Sequence, residues 1–278
     1  MIRAAAIAAA TLVLAPGLAA ADALERIRST GEIRLAVRDD APPLSYLEDG
    51  VLKGYSVDLC RRVAERLAED LDQPALARVL VPVNADTRFD AVATGEADLL
   101  CGAASQTLSR RAVVDFSIPI FVDGAAVMTR EGGPADLQAL AGQTVGVRGG
   151  TTTEEGLRAT VEGAGIDADI VAFETHAEAV AALRAEEIDA YFADQSILLG
   201  LARAEGGEGL QVSGNTLSVE TQALAMGRGE TELRLAVDRA LSALWRSGAV
   251  GEIFEANFAP AQPGDAMRAL ALLAPLRD

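Results

Sequence analysis

Side chains able to do chemistry gather in a few short stretches. CGAASQTLSRR (101–111) ends an apolar run on Cys101, passes small and hydroxyl residues, and reaches Arg110 and Arg111. Guanidiniums just beyond a Gly/Ala/Ser/Thr loop suit an anion, and their planar fork suits a carboxylate. A solvated helix start is the plainer reading. GGTTTEE (149–155) follows the strand-like TVGVR and opens a helix. Exposed N–H groups at such a turn cradle an anion, while Thr151, Thr152, Thr153 and the two glutamates equally satisfy ordinary capping. There is no G-x-x-x-x-G-K-[ST] pattern, so a carboxylate is a better guest than a nucleotide phosphate. Thr175–Glu178 is a capping box that puts His176, the sole histidine, in a first helical turn, ordinarily a surface place. Asp194 ends DAYFAD before the helical QSILLGLA; it is a helix cap or, beside a cleft, a partner for a ligand ammonium. Tyr46, in PPLSYLEDG, can line a cleft from its loop. Catalysis finds no support: G-x-S-x-G, metal-ligand spacing and a histidine-based nucleophile are all missing. No cofactor or metal is expected.

The elements that must position these residues alternate, which favours an α/β architecture. Segments 33–37, 78–83, 98–102, 144–147, 169–173 and 189–193 read as strands, and 56–71, 87–95, 154–163, 176–185 and 231–246 as helices. Residues 39–55 read as a loop and a small turn. A weak repeat relates TGEIRLAVRDD (30–40) to AGQTVGVRGG (141–150), and FDAVATGEADLLCGAAS (89–105) to AEAVAALRAEEIDAYFAD (177–194). Two similar lobes follow, starting near 24 and 127, with 220–278 returning to the first. Such proteins bind ligands between lobes, at the carboxyl ends of strands.

Composition narrows the class. The formal charge of −17 argues against nucleic acid and anionic membranes as partners. Lys53 is the only lysine, so arginine at a given position is weak evidence of function. MIRAAAIAAATLVLAPGLAAAD has the charge, apolar run and small-residue end of a cleavable signal peptide over residues 1–21, implying an exported protein. Cys60 lies on an apolar stripe with Val63, Ala64, Leu67 and Leu71, and Cys101 ends LLC. Both face a core; an oxidising compartment favours a Cys60–Cys101 bridge, with two buried thiols the alternative.

DALERIRSTGEIRLAVRDDAPPLSY, GYSVDLCRRVAERL, TGEADLLCGAASQTLSRRAVVDFSIPIFVDG, LAGQTVGVRGGTTTE and IDAYFADQ, in this order, resemble the polar amino-acid periplasmic binding proteins of ABC importers. The resemblance implies a periplasmic binding protein type II fold with hinge crossings near Val122–Val127 and Ser218–Ala223. Lobe 1 would hold 22–125 plus 221–278, and lobe 2 126–220. The glutamate/aspartate-binding members are the most similar. By that match Arg110, with Ser105 and N–H groups at Thr151 and Thr152, holds an α-carboxylate. Asp194, with Ala103 and Ser105, takes the α-ammonium, and Arg38, Arg88 and His176 face an acidic side chain. The tail QPGDAMRAL (262–270) matches as well. Departures are Ala85 and Ala103 in place of serines, Asp39 and Asp40 beside Arg38, and no aromatic or cysteine at Gln222–Ala225. The implied partners are an amino acid and an inner-membrane ABC permease, the protein itself being a monomer and no enzyme. Two alternatives share the fold: a cyclohexadienyl/arogenate dehydratase-like enzyme using His176 or Asp194, and a periplasmic ligand-sensing adaptor.

Overall fold

A computed structural model describes residues 22–134, 137–204 and 208–277; the expected signal peptide lies outside them. The first part of the chain forms α1 (Ala23–Thr30), β1 (Glu32–Val37), β2 (Asp40–Ala41), β3 (Ser45–Glu48), β4 (Val51–Lys53) and α2 (Tyr55–Asp70). It continues through β5 (Ala77–Pro82), α3 (Arg88–Ala93), β6 (Leu99–Cys101), α4 (Leu108–Arg111) and β7 (Val114–Asp123). The middle part runs β8 (Ala125–Arg130), a 3₁₀ turn (Gln138–Leu140), β9 (Thr144–Arg148), α5 (Thr152–Ala164) and β10 (Asp169–Phe173). It ends with α6 (His176–Arg184), β11 (Ala190–Asp194), α7 (Gln195–Ala204) and β12 (Leu210–Val212). The last part is β13 (Glu220–Gly227), α8 (Thr231–Ser247), α9 (Ala249–Phe258) and α10 (Asp265–Leu273).

The strands form two five-stranded sheets, β5-β1-β6-β13-β7 and β10-β9-β11-β8-β12, one in each lobe of a type II binding-protein fold. In each, three parallel strands meet antiparallel ones at one side. The repeat is structural. Asp98 accepts from the Arg34 N–H at 2.7 Å, and Asp189 accepts from the Thr144 N–H at 2.9 Å. Each aspartate N–H returns a bond to the same residue's carbonyl, at 2.8 Å in both lobes. With Arg34 and Thr144 matched in this way, Arg38 and Arg148 occupy equivalent places at the ends of β1 and β9.

Residues 39–55 are no plain loop: β2, β3 and β4 make a three-stranded antiparallel sheet. Asp49 and Gly50 connect β3 to β4 with φ of 52° and 75°. An Asp-Gly pair with both φ positive is the preferred tight hairpin turn. Its strands are too short for alternation to reveal.

The chain leaves the first sheet at Asp123, enters the second at Ala125, and returns between Val212 and Glu220. At Gly124 a Cβ would lie 2.0 Å from the Ser218 carbonyl oxygen, so the two crossings touch where no side chain fits. The first lobe carries the larger core. Tyr55, Phe121, Phe254 and Phe258 pack together, and the buried Tyr55 hydroxyl donates to the Ile120 carbonyl at 2.6 Å. A Cys60–Cys101 disulfide ties α2 to β6 with Cα atoms 6.0 Å apart. Helices α8 and α10 pack on β7, closing the first lobe with the chain's last segment.

Candidate functional site

A small cavity lies where the carboxyl ends of strands from both lobes converge. Arg38, Arg88, Ala103, Ser105 and Arg110 line it from the first lobe, and Arg148, Thr151, Thr152, Thr153, His176, Ala193, Asp194 and Ile197 from the second.

One end is made by two threonine-capped helix starts. Thr107 accepts from the Arg110 N–H at 3.2 Å, and this cap sets Arg110 one turn into α4. Its guanidinium donates to the Ser105 carbonyl at 3.0 Å and lies 4.8 Å over the Phe89 ring. Arg111 sits over Phe116 and is not part of the cavity wall, so the anion-site reading applies to one of the two arginines. Across the cleft Thr151 accepts from the Glu154 N–H at 3.2 Å. Capping and cradling are therefore compatible: the side chain closes one N–H, and a helix's first turn leaves others open. Thr152 donates to Glu220 at 2.8 Å and Thr153 to Asp194 at 3.2 Å.

Asp194 is half-buried at the end of β11 and accepts from Gln222 Nε2 at 2.8 Å. Burial first, and then Glu220, raise its pKa; a cationic ligand group would reverse that push. Nearby Asp123, at the crossing, accepts from the Gly124 N–H at 2.9 Å and from the Ser196 hydroxyl. Burial, followed by Asp194, pushes Asp123 up to about 8.

The other end is crowded with guanidiniums. Arg38 donates to Asp40 through Nε at 2.8 Å, with Nη2 in ion-pair contact at 2.7 Å. Arg88 reaches across the cleft to the Gly150 carbonyl at 3.3 Å, and its Nε and Nη1 are buried without an acceptor. Burial, then Arg38 and Arg110, hold the Arg88 pKa well below the usual arginine range. Arg148 donates to the Gly149 and Phe173 carbonyls at 3.1 and 3.2 Å, and its Nε stands 3.7 Å from Asp40. His176 is buried, in contrast to the surface place its helix position suggests. Its Nδ1 lies 2.7 Å from the Tyr191 hydroxyl and its Nε2 3.5 Å from Arg38. Burial, then Arg38, lower its pKa to about 3, so the ring is neutral near pH 7.

Of the residues expected at a ligand, Arg38, Arg88, Ala103, Ser105, Arg110, Thr151, Thr152, His176 and Asp194 meet in this cavity. Tyr46 does not. Side chains alternate along a strand, and on β3 it is Ser45 that turns inward, bonded to the Arg38 backbone at 2.9 Å. Tyr46 falls on the other face. Arg148, Ala193 and Ile197 are not singled out by sequence, and Thr153 only as part of the threonine turn; for Arg148 the signal is its place opposite Arg38 in the repeat. Among the described residues no group of side chains could hold a metal ion.

Two α/β lobes, two crossings and a charged cavity between them define a ligand-capturing protein of the bilobal type. The chain matches the bacterial extracellular solute-binding proteins, family 3, over residues 33–260, and belongs to that family. It is 31% identical to the L-glutamate/L-aspartate-binding protein of Pseudomonas aeruginosa, across 84% of this chain and 79% of that one. Identity to the glutamate/aspartate import solute-binding protein of Escherichia coli is 26%, across 89% and 85%. Among solved structures, an ancestral arginine-binding protein bound to arginine superposes with a TM-score of 0.74 at 26% identity, covering 82% of this chain and 99% of its own. These relatives are named for binding, not for catalysis.

Proposed function

We propose that the protein is an exported, monomeric binding protein that closes on glutamate or aspartate and hands it to an inner-membrane ABC importer. The observation that carries the acidic ligand is the cavity's charge. Four guanidiniums line it against one carboxylate, Asp194, and two buried N–H donors of Arg88 have no acceptor. A buried donor without a partner is costly, and a ligand carboxylate supplies the missing oxygens. Arg110, Ser105 and the N–H groups at Thr151 and Thr152 take the α-carboxylate. Asp194, with the Ala103 carbonyl and Ser105, takes the α-ammonium. Arg88, Arg38 and neutral His176 face the acidic side chain. Lobe 1 is 22–125 with 221–278, lobe 2 is 126–220, and residues 1–21 direct export. The names of the glutamate/aspartate-binding relatives support the same ligand class. The arginine-bound neighbour means that the fold alone does not select it.

The test is calorimetric titration of the untagged protein with a panel of amino acids. Glutamate and aspartate are expected to bind more tightly than glutamine, histidine or arginine. Preference for a cationic amino acid overturns the reading.

A further inference from the structure

We infer that Arg148 is a specificity-determining residue, the arm by which the second lobe grips the acidic end of the ligand. The inference rests on the acidic amino-acid reading and adds to it a residue that the family resemblance did not supply.

Arg148 and Arg38 are structural equivalents, one at the end of each lobe's central parallel strand, and both point to the same carboxylate, Asp40. Their commitments differ. Arg38 is held to Asp40 Oδ1 by a hydrogen bond from Nε at 2.8 Å and an ion-pair contact of Nη2 at 2.7 Å, within its own lobe. Arg148 meets Asp40 only at 3.7 Å and Asp86 at 4.0 Å, both across the cleft and beyond hydrogen-bond length. Its fixed bonds go to two carbonyls of its own lobe, which hold the guanidinium plane without neutralising it. The residue is buried, lines the cavity, and has an Nε with no acceptor.

A buried guanidinium with an unmet donor is destabilising unless something anionic completes it. Asp40 engages Arg38 through Oδ1 and leaves Arg148 only its Oδ2, at an ion-pair distance of 3.7 Å that makes no hydrogen bond. The ligand's distal carboxylate can be that anionic group, with Arg88 from the first lobe and Arg148 from the second. The cation from the second lobe reaches that carboxylate only when the lobes meet, so closure becomes sensitive to the ligand's side-chain charge. Glutamine, the same shape without the charge, leaves the Arg148 cation uncompensated.

The experiment measures glutamate and glutamine dissociation constants by calorimetry for the wild type and for Arg148→Gln. Loss of a charge-assisted contact is expected to weaken glutamate binding by about tenfold or more. Glutamine affinity should change by less than about threefold, so that the ratio collapses. Equal weakening of both ligands, or an unchanged ratio, overturns the assignment and leaves the acidic ligand standing. A wild type that prefers glutamine or a cation overturns both. Should Arg148→Gln fail to fold, Arg148→Lys decides: it keeps a point charge but loses the fork. A partial loss of the ratio is then expected, and an unchanged ratio overturns the proposal.

Discussion

Asp98 and Asp189 open matching strands of the two lobes and make the same backbone bonds, yet their surroundings differ. The Asp98 side chain is 1% exposed and paired with both Arg26 and Arg34. That of Asp189 is 35% exposed and meets Arg130 only at 3.7 Å. The same contrast recurs at the cleft, where Arg38 is bound to a carboxylate of its own lobe and Arg148 is not. The first lobe also holds the disulfide, the aromatic cluster and the C-terminal helices. Duplicated architecture thus diverges at matched positions: the first lobe is braced and pairs Asp98 and Arg38 closely within itself, while their counterparts Asp189 and Arg148 meet opposite charges only at 3.7 Å. Stability and recognition are carried unequally by halves of the same plan.

The strongest way to break this comparison is to remove the brace. Cys60→Ala with Cys101→Ala opens a loop closed over a sequence separation of 41. Chain entropy alone predicts a loss of about 4 kcal/mol in denaturant unfolding, with amide exchange accelerated in the first lobe before the second. A second-lobe variant that costs as much would end the asymmetry. Next comes Arg110→Ala, which deletes the one cavity guanidinium at the Ser105 end. Affinity for every α-amino acid tested should fall roughly 100-fold, because a desolvated charge-assisted pair is lost. Circular dichroism should remain unchanged, and unaltered affinity would refute the site.

The aspartate twins sharpen the comparison further. Asp98→Asn removes a buried charge from two arginines and is expected to cost about 3 kcal/mol. Asp189→Asn, half in solvent and keeping its backbone bond, should cost about 1 kcal/mol or less. Equal costs in urea unfolding would erase the distinction.

The smallest expected effect is a flat line. His176 is the only histidine, so proton NMR of the ring reads it alone, and its shift should not move between pH 8 and 5. Titration near the ordinary value of about 6.5 would show that the ring is not enclosed by arginines. The unfolded chain takes up this proton near pH 6.5, whereas the folded chain refuses it until about 3. The stability it contributes is therefore complete above pH 6.5 and lost as the pH falls towards 3. Asp123, pushed up to about 8, acts oppositely: its contribution is complete in acid and lost as the pH rises through 8. The two oppose each other between about pH 4 and 6, so the ring signal is the cleaner reading.

Much of this was legible in the sequence, for physical reasons that can be named. Helices such as α2 announce themselves by a stripe that includes Cys60, Val63 and Leu67, all buried. Strands β1, β6, β9 and β11 stand out as apolar runs between polar turns. Of β7 only the first residues, VVDFS (113–117), read as strand-like, and β8 and β13 were missed. Burial along β7 does not alternate, and its pairing with β13 is interrupted by two register shifts. At the site, Arg110, Thr151 and Asp194 were legible because each sits beside a local cap or strand end. Arg148 was not, since its meaning depends on Asp40, far away in sequence and on the other lobe. Tyr46 misled because a two-residue hairpin turn, once unrecognised, conceals which face of the strand it occupies.

The disulfide has one more consequence. With both cysteines consumed in the first lobe, the protein offers no native thiol to a labelling reagent. A single cysteine placed on the rim of the second lobe would then carry the only dye on the molecule. Lobe movement could be followed as a change in its fluorescence, with no competing signal to subtract.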